Sequence, residues 1–399
     1  MIVFFFWLSI FIIVYTYAGY PALLYLLGKA CRKTKEYEDY EPSITLLIAA
    51  YNEEDFIRRK LDNSLNLDYP SEKLQILVVA DGSTDKTAEI VQTYESRHVE
   101  LCFQPQRQGK LAAIDRAMAF ARGDIVLFSD ANNIYEPGTL KSLVVPFSDP
   151  TVGGVSGAKH IIKDENTLGE SEGLYWKYES FIKKQETRLG SCSGVSGEIF
   201  AIRRALYEPA PRHIINDDFY LAMRLLRRGY RIVYVPQARS FERTSYSKKD
   251  EIIRRKRINA GRYQALRYFR QIFPLKYPRL MWQVISHKVF RLLLPFAMIV
   301  AFLTNGLALV PGLSKGEPSI LRLTFPFNWI IFSIQSLFYL LSVIGNISAG
   351  KQGKLVYLPT FLVNSNIASF QGFLQFIKGN ETALWEKVKR ADNGEQINA

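Results

Sequence analysis

The sequence predicts an α/β domain, a mostly parallel sheet with helices on both faces, set between transmembrane helices at the N-terminal and C-terminal ends. Three observations carry that expectation. Short β-rich runs alternate with helical stretches from about Pro42 to Pro236. Residues 1–28 contain no charged side chain. Uncharged apolar runs recur at 292–314, 323–350 and 355–377.

The first apolar run exceeds the roughly 20 residues that cross a bilayer. Its basic residues, Lys29, Arg32, Lys33 and Lys35, follow the run, whereas a secretory signal carries them in front. That order predicts an uncleaved anchor, 1–28, with the next domain in the cytoplasm of a multi-pass cell-membrane protein; a cleaved signal is the competing reading. The runs at 292–314 and 323–350 read as spans. The run at 355–377 is interrupted by Asn364, Ser365, Asn366, Ser369, Gln371 and Gln375. It is either a third C-terminal span packed on its neighbours or a re-entrant segment at the interface. Lys351 and Lys354 fit a cytoplasmic loop. The domain plan is then an anchor at 1–28, a catalytic domain at 42–240, a basic amphipathic or interfacial segment at 241–291, a membrane region at 292–377, and a basic tail at 378–399.

Composition narrows the function classes. Hydrophobic residues make 48% and charged residues 22% of the 399, which argues against long disorder. The net charge of +13 suits an anionic partner. Beside such apolar ends, that partner is lipid headgroup or substrate phosphate rather than nucleic acid. The cysteines, Cys31, Cys102 and Cys192, are too scattered for a disulfide framework, and no HExxH zinc motif occurs.

Within the middle region, ITLLIAA, LQILVVA, VELCF, DIVLFSD and RIVYVP read as buried strands. Residues near 53–66, 84–97, 108–122 and 217–228 read as helices. Ligands of such sheets bind outside the carboxyl ends of the strands. The polar residues there are Tyr51-Asn52-Glu53, Asp81 and Asp130. No GxGxxG or GxxxxGK[ST] follows the first strand, which counts against dinucleotide and P-loop chemistry.

Each carboxylate has two readings. Asp81 and Asp85, in VVADGSTD, serve either as turn and capping residues or as ligands of a bound molecule. Asp130 ends an almost wholly apolar strand, where a carboxylate is costly unless it meets a cation or donors. A divalent metal shared with a diphosphate would satisfy it, with Asn132 as a second oxygen; an Asx-turn is the alternative. In SGVSGEIFAIRR, Gly194 and Gly197 allow close approach of a ligand or simply form a loop. In INDDF, Asn216 or Asp217 is placed to cap a helix, and one of Asp217 and Asp218 can act as a general base on an acceptor hydroxyl. The run Arg254, Arg255, Lys256, Arg257 is either a solvated or headgroup-facing surface or the source of a cation for a leaving diphosphate.

In this order the segments resemble the family 2 glycosyltransferases with the GT-A fold, in their membrane-bound, polysaccharide-synthase-like branch. The resemblance covers about Ser43 to Gly261. AAYNEE (Ala50, Tyr51, Asn52, Glu53) looks like the nucleotide-binding strand end, and VVADGSTD (Asp81) like the uridine-side motif. SDANN stands at the DxD metal motif, SGEIFAIRR (Gly194, Gly197, Glu198) at the acceptor-side loop, and INDDF at the TED motif. The tail ETALWEKVKR is similar to the end of poly-N-acetylglucosamine-type synthases.

The resemblance implies an inverting transfer from a nucleotide-diphospho-sugar, UDP-linked by analogy, to a glycan or lipid-linked acceptor, with Mg²⁺ or Mn²⁺ as cofactor. It makes Asp218 the base and Asp217 its neighbour. It places Asp81, Lys110 and Asp130 on the donor, Asp130 and Asn132 on the metal, and Arg254 and Arg257 or Lys110 on the leaving group. Membrane lipids and polysaccharide export or assembly proteins are the implied partners. The chain departs from the pattern at Asn132, where DxD has its second Asp, and at Arg254 and Ile258, where QxxRW has Gln and Trp. The first changes one metal ligand; the second weakens the case for processive growth. A polyprenyl-phosphate sugar transferase is the first alternative, a non-enzymatic membrane scaffold the second.

Overall fold

The computed structural model of the chain describes residues 1–31, 36–162, 167–243, 248–313, 316–348 and 353–379. Arg32, Lys33, Lys35 and Lys351, and the tail beyond Gly379, lie outside the described residues.

Eight strands form one sheet: β1 (Ile44–Ala50), β2 (Leu74–Asp81), β3 (Val99–Gln104), β4 (Ile125–Asp130), β5 (Asn133–Tyr135), β6 (Val152–Ile162), β7 (Phe200–Arg203) and β8 (Arg231–Arg243). Their spatial order is β3-β2-β1-β4-β7-β6-β8-β5. β3, β2, β1 and β4 are parallel, and β6 is parallel to β8; β7 runs antiparallel between β4 and β6, and β5 antiparallel on β8.

All five runs read as strands are strands. β5, β6 and β7 were not among the expected strands; in β6 three glycines interrupt the apolar run of VGGVSGAKHII. The glycines are imposed by close packing. A Cβ on Gly157 would lie 2.5 Å from Ile199 Cδ1 and 2.6 Å from the Ala238 carbonyl oxygen.

Alternation along β1 sorts the two faces. Leu47 and Ala49 join a core with Leu111, Ile114 and Ala117 of helix Lys110–Met118 and Leu221 and Leu225 of helix Asp217–Arg227. Ile44, Leu46 and Ile48 join the opposite core with Ile57 and Leu61 of helix Ile57–Leu65. Helices therefore cover both faces, as expected.

The 22-residue helix Thr167–Arg188 was not expected. Its buried positions include Glu179, Ile182, Lys183 and Glu186, so the face turned inward is mostly charged and leaves no apolar periodicity.

Among the described residues three helices are long and apolar enough to cross a membrane: Ile2–Ala30, Pro278–Leu307 and Phe327–Ile347. The second starts fourteen residues before the uncharged run at 292, so it takes in only the last part of the expected interfacial segment, whose earlier part holds helices Lys248–Arg267 and Phe269–Ile272. Its polar residues His287, Lys288 and Arg291 face protein, where Glu179 and Glu186 pair with them.

The polar-interrupted run forms one helix, Lys354–Ile377, which is not among those three. Its polar groups find partners: Asn364 exchanges hydrogen bonds with Asn346, Asn366 donates to Tyr17 Oη at 2.9 Å, and Ser365 accepts from Arg255 at 3.0 Å.

A tight crossing underlies the start of β4. A Cβ on Gly123 would sit 2.3 Å from the Thr45 backbone nitrogen, inside the sheet. We expect Gly123→Ala to destabilise the domain by about 1–3 kcal/mol. A lowered thermal midpoint checks this; an unchanged midpoint would show that the backbone yields freely.

Candidate functional site

β1, β2 and β4 point the same way, so Ala50, Asp81 and Asp130 emerge at one edge; Ala50 pairs with Ala80, and Ala49 with Asp130. The loops after β1 and β2 are stitched together. Asn52, at φ 53°, accepts from the Thr84 N–H at 2.8 Å and donates its own N–H to Ser83 Oγ at 3.1 Å. Glu53 N–H donates to Thr87 Oγ1 at 2.8 Å, and the Arg107 guanidinium covers the Tyr51 ring 3.8 Å from its centroid. Gly82 has φ 68°, and a Cβ there would meet the Arg107 backbone nitrogen at 2.6 Å, so this turn needs glycine.

Asp81 is buried, and its carboxylate is fully engaged. It accepts from the N–H groups of Gln108 and Gly109, at 2.9 and 2.6 Å, and from Arg116 Nη2 at 2.7 Å. It thereby fixes the start of helix Lys110–Met118. Asp85 takes the turn role read for it rather than the cap: it accepts from the Thr87 N–H at 3.0 Å, just ahead of helix Thr87–Gln92, whose N-cap is Lys86.

Fixing that helix aims Lys110. Its ammonium lies 2.7 Å from Asp130 Oδ1 and 3.9 Å from Asp217 Oδ2. Burial works against the charge, but the Asp130 and Asp217 carboxylates outweigh it and raise the lysine above its usual range. Asp217 and Asp218 open helix Asp217–Arg227. Neither expected cap holds: the Asn216 side chain donates instead to the Ile258 carbonyl at 2.8 Å. Asp218 Oδ1 accepts from the Phe219 N–H at 2.7 Å. Burial, and then the Asp217 charge, push Asp218 above the usual carboxylate range, while Lys110 and Lys288 pull it down.

Arg257, on helix Lys248–Arg267, is depressed by burial and by Arg254, and supported by Asp217 and Asp130. Arg257 therefore belongs to the same charge group, with Arg254 beside it.

The acceptor-side loop closes the other wall. A Cβ on Gly197 would be 3.2 Å from Asp218 Cβ, and one on Gly194 would be 2.7 Å from Lys288 Nζ. Glu198 turns away from this wall into a buried pair with Lys159 and accepts from Ser240 Oγ at 3.1 Å. Asp130, Asp217, Asp218, Lys110 and Arg257 thus converge, whereas Asp81 and Glu198 brace the walls from behind. Lys183 and Lys288 line the loop and were not read as site residues. Lys183 sits on the helix without periodicity, and Lys288 resembled an interfacial anchor.

A metal at Asp130 can be tested on its neighbours. Asn132 Oδ1 is buried without a hydrogen-bond partner. A buried acceptor left unsatisfied two residues from a part-buried carboxylate fits a cation. Among the described residues no group of three His, Cys, Asp or Glu side chains forms a cage, so a metal here needs further oxygens from a ligand such as a diphosphate.

Residues 45–209 match the family model described as glycosyl transferase family 2. The chain carries a family 2 glycosyltransferase domain. A probable glycosyltransferase of Bacillus subtilis (strain 168), YdaM, is 28% identical to the chain over 266 residues, covering 61% of each chain. The poly-beta-1,6-N-acetyl-D-glucosamine synthase of Staphylococcus aureus (strain MSSA476) is 30% identical over 201 residues, 49% of this chain and 48% of that protein. The chain thus spans roughly half to three-fifths of the length of these relatives. Among solved structures, the mannosyltransferase PcManGT of Pyrobaculum calidifontis, in complex with GDP-Man and Mn²⁺, matches with a TM-score of 0.71 at 21% identity, over 94% of this chain and 100% of that one. That likeness shows the GT-A fold, a mixed, mostly parallel sheet with apolar helices at both ends of the chain.

Proposed function

We propose that the protein is an inverting glycosyltransferase that moves a sugar from a nucleotide-diphospho-sugar to a glycan or lipid-linked acceptor at the cytoplasmic face of the cell membrane. One observation carries the reading. Lys110 joins Asp130 to Asp217, with Asp218 beside them, at the edge where parallel strands end.

The nucleotide side of the donor lies along Tyr51, Asn52 and Glu53, in the pocket that Asp81 shapes by holding the 108–110 turn. The diphosphate lies by Asp130, Lys110 and Arg257. Asp218 takes the proton of the acceptor hydroxyl, a role suited to a carboxylate raised by burial. The hydroxyl oxygen bonds to the anomeric carbon as that carbon's bond to the diphosphate breaks. Lys110 and Arg257 stabilise the charge that develops on the leaving group. Asp130 and Asn132 would hold a divalent cation. Bound, it neutralises diphosphate charge as a Lewis acid.

Chelation tests that cation. EDTA should abolish both transfer and donor binding, and Mg²⁺ or Mn²⁺ should restore them; full activity after chelation would exclude the cation from the reaction. A screen of membrane-reconstituted protein against radiolabelled UDP- and GDP-sugars tests the function itself. Failure to bind any of them would overturn it.

A further inference from the structure

Behind the acceptor-side loop lies a charge cluster that the transfer chemistry above leaves unused. Lys183 is buried and donates to Ser196 Oγ at 2.8 Å. Lys288 Nζ lies against Gly194, with its nearest carboxylate, Glu179, at 3.9 Å. Arg291 pairs with Glu179 through one nitrogen, while its Nη2 is buried with no hydrogen-bond partner. Arg262, held by Asn259 Oδ1 at 3.1 Å, acts electrostatically on Lys288.

Among the described residues, the two acids at this cluster are already engaged. Glu186 accepts from Tyr20 at 2.6 Å and from the Ser193 N–H at 2.7 Å and contacts His287; Glu179 serves Arg291 and His287. Among the described residues, four cations therefore face two carboxylates, or three with Asp218 across the loop. Excess positive charge held out of water is costly until an anion joins it. Burial depresses Lys183, and the Lys288 ammonium adds to the effect against the opposing pull of Cys192 and Glu179.

The cluster continues into an apolar groove. Lys288, Arg291, Pro295, Met298 and Phe302 recur every three or four residues, which is one face of a helix. That helix, Pro278–Leu307, is one of the three apolar enough to cross a membrane. Past the cations the same face lines a groove of about 430 Å³, walled by Pro295, Met298, Ile299, Phe302, Tyr339 and Phe370. Cations at one end and hydrocarbon-lined space at the other match an amphiphile with an anionic head.

The loop sets the geometry of that head. Lys288 abuts Gly194 and Asp218 abuts Gly197. Three residues of backbone span at most about 10 Å. A phosphate on Lys288 and a hydroxyl at Asp218 are then close enough to belong to one headgroup, with a sugar between them.

We propose that the acceptor is a phosphate-bearing glycolipid, its hydrocarbon tail in the groove, its phosphate on Lys288, Arg291 and Lys183, and its sugar hydroxyl at Asp218. The proposal rests on the glycosyl-transfer reading and names the acceptor of that same site. The hydroxyl oxygen joins the donor's anomeric carbon, the nucleoside diphosphate leaves, and the proton passes to Asp218.

The test uses full-length protein in phosphatidylcholine nanodiscs, with tritiated farnesyl diphosphate as probe and farnesol as its phosphate-free control. Farnesyl diphosphate should bind saturably, at least tenfold tighter than farnesol, and binding should persist in excess UDP or GDP. Lys288→Met and Ile299→Trp should each weaken it tenfold or more, and Lys288→Arg should restore most of it. Equal binding of farnesol, competition by the nucleotides, or binding that survives both substitutions would overturn the site. The farnesol comparison uses the parent protein alone, so it decides the matter even if either substitution misfolds. Nucleotide–Mn²⁺ binding in the same discs separates the two readings. If it persists while farnesyl diphosphate does not bind, this site alone fails; if it too is absent, the transferase reading fails with it.

Discussion

Asp218→Asn should lower sugar transfer by about 10²–10⁴-fold while leaving nucleotide-sugar binding within a few-fold of the parent protein. The amide keeps the shape of the carboxylate and its hydrogen bond from the Phe219 N–H but cannot take a proton. Asp217→Asn provides the companion experiment. The Asp217 charge raises Asp218, so neutralising it should lower the Asp218 pKa and move the acid limb of the rate profile to lower pH. Transfer rates across pH for both variants check this. An Asp218→Asn enzyme with parent-like turnover would point to an acceptor that needs no base, such as a phosphate oxygen.

Lys110→Met should reduce transfer by about 10²–10³-fold, the usual consequence of removing one group that stabilises developing charge. Here binding should suffer as well, since Lys110 also orders Asp130 and Asp217. The pH profile should move opposite to that of Asp217→Asn. Lys110 holds Asp218 down, so its loss should raise the Asp218 pKa and shift the acid limb to higher pH. Single-turnover measurement separates the binding defect from the chemical one. Parallel shifts in the two variants would mean that Lys110 and Asp217 do not share a field at Asp218.

Much of this was legible in the sequence because it lies at the ends of buried apolar strands. ITLLIAA, LQILVVA and DIVLFSD leave their terminal polar residues nowhere to go but one edge, and that placed Asp81 and Asp130 together. Roles within the edge were less legible. Asp81 and Asp130 look alike in sequence, yet one is bound by two backbone N–H groups and Arg116, and the other by Lys110. Sequence separates none of these partners, since each depends on how helix Lys110–Met118 docks.

Glu198 shows the same limit. Its place in SGEIFAIRR suggested the acceptor wall, but the side chain pairs inward with Lys159, a residue of the unforeseen strand β6. The helix Thr167–Arg188 escaped detection for a related reason. Its inward face is built of Glu179, Lys183 and Glu186; the two acids pair with His287, Lys288 and Arg291 at the start of a long apolar helix about a hundred residues later in the chain, and Lys183 donates to Ser196 Oγ. Hydrophobic periodicity cannot reveal a helix whose buried face is ionic.

Asp130 should mark a diphosphate-and-metal cleft shared with Asp218. Its most direct test is Mn²⁺ electron paramagnetic resonance on membrane-reconstituted protein with UDP or GDP. A protein-bound Mn²⁺–nucleotide signal is expected in the parent protein and in Asp218→Asn, and its loss in Asp130→Ala. The same signal in Asp130→Ala would contradict it.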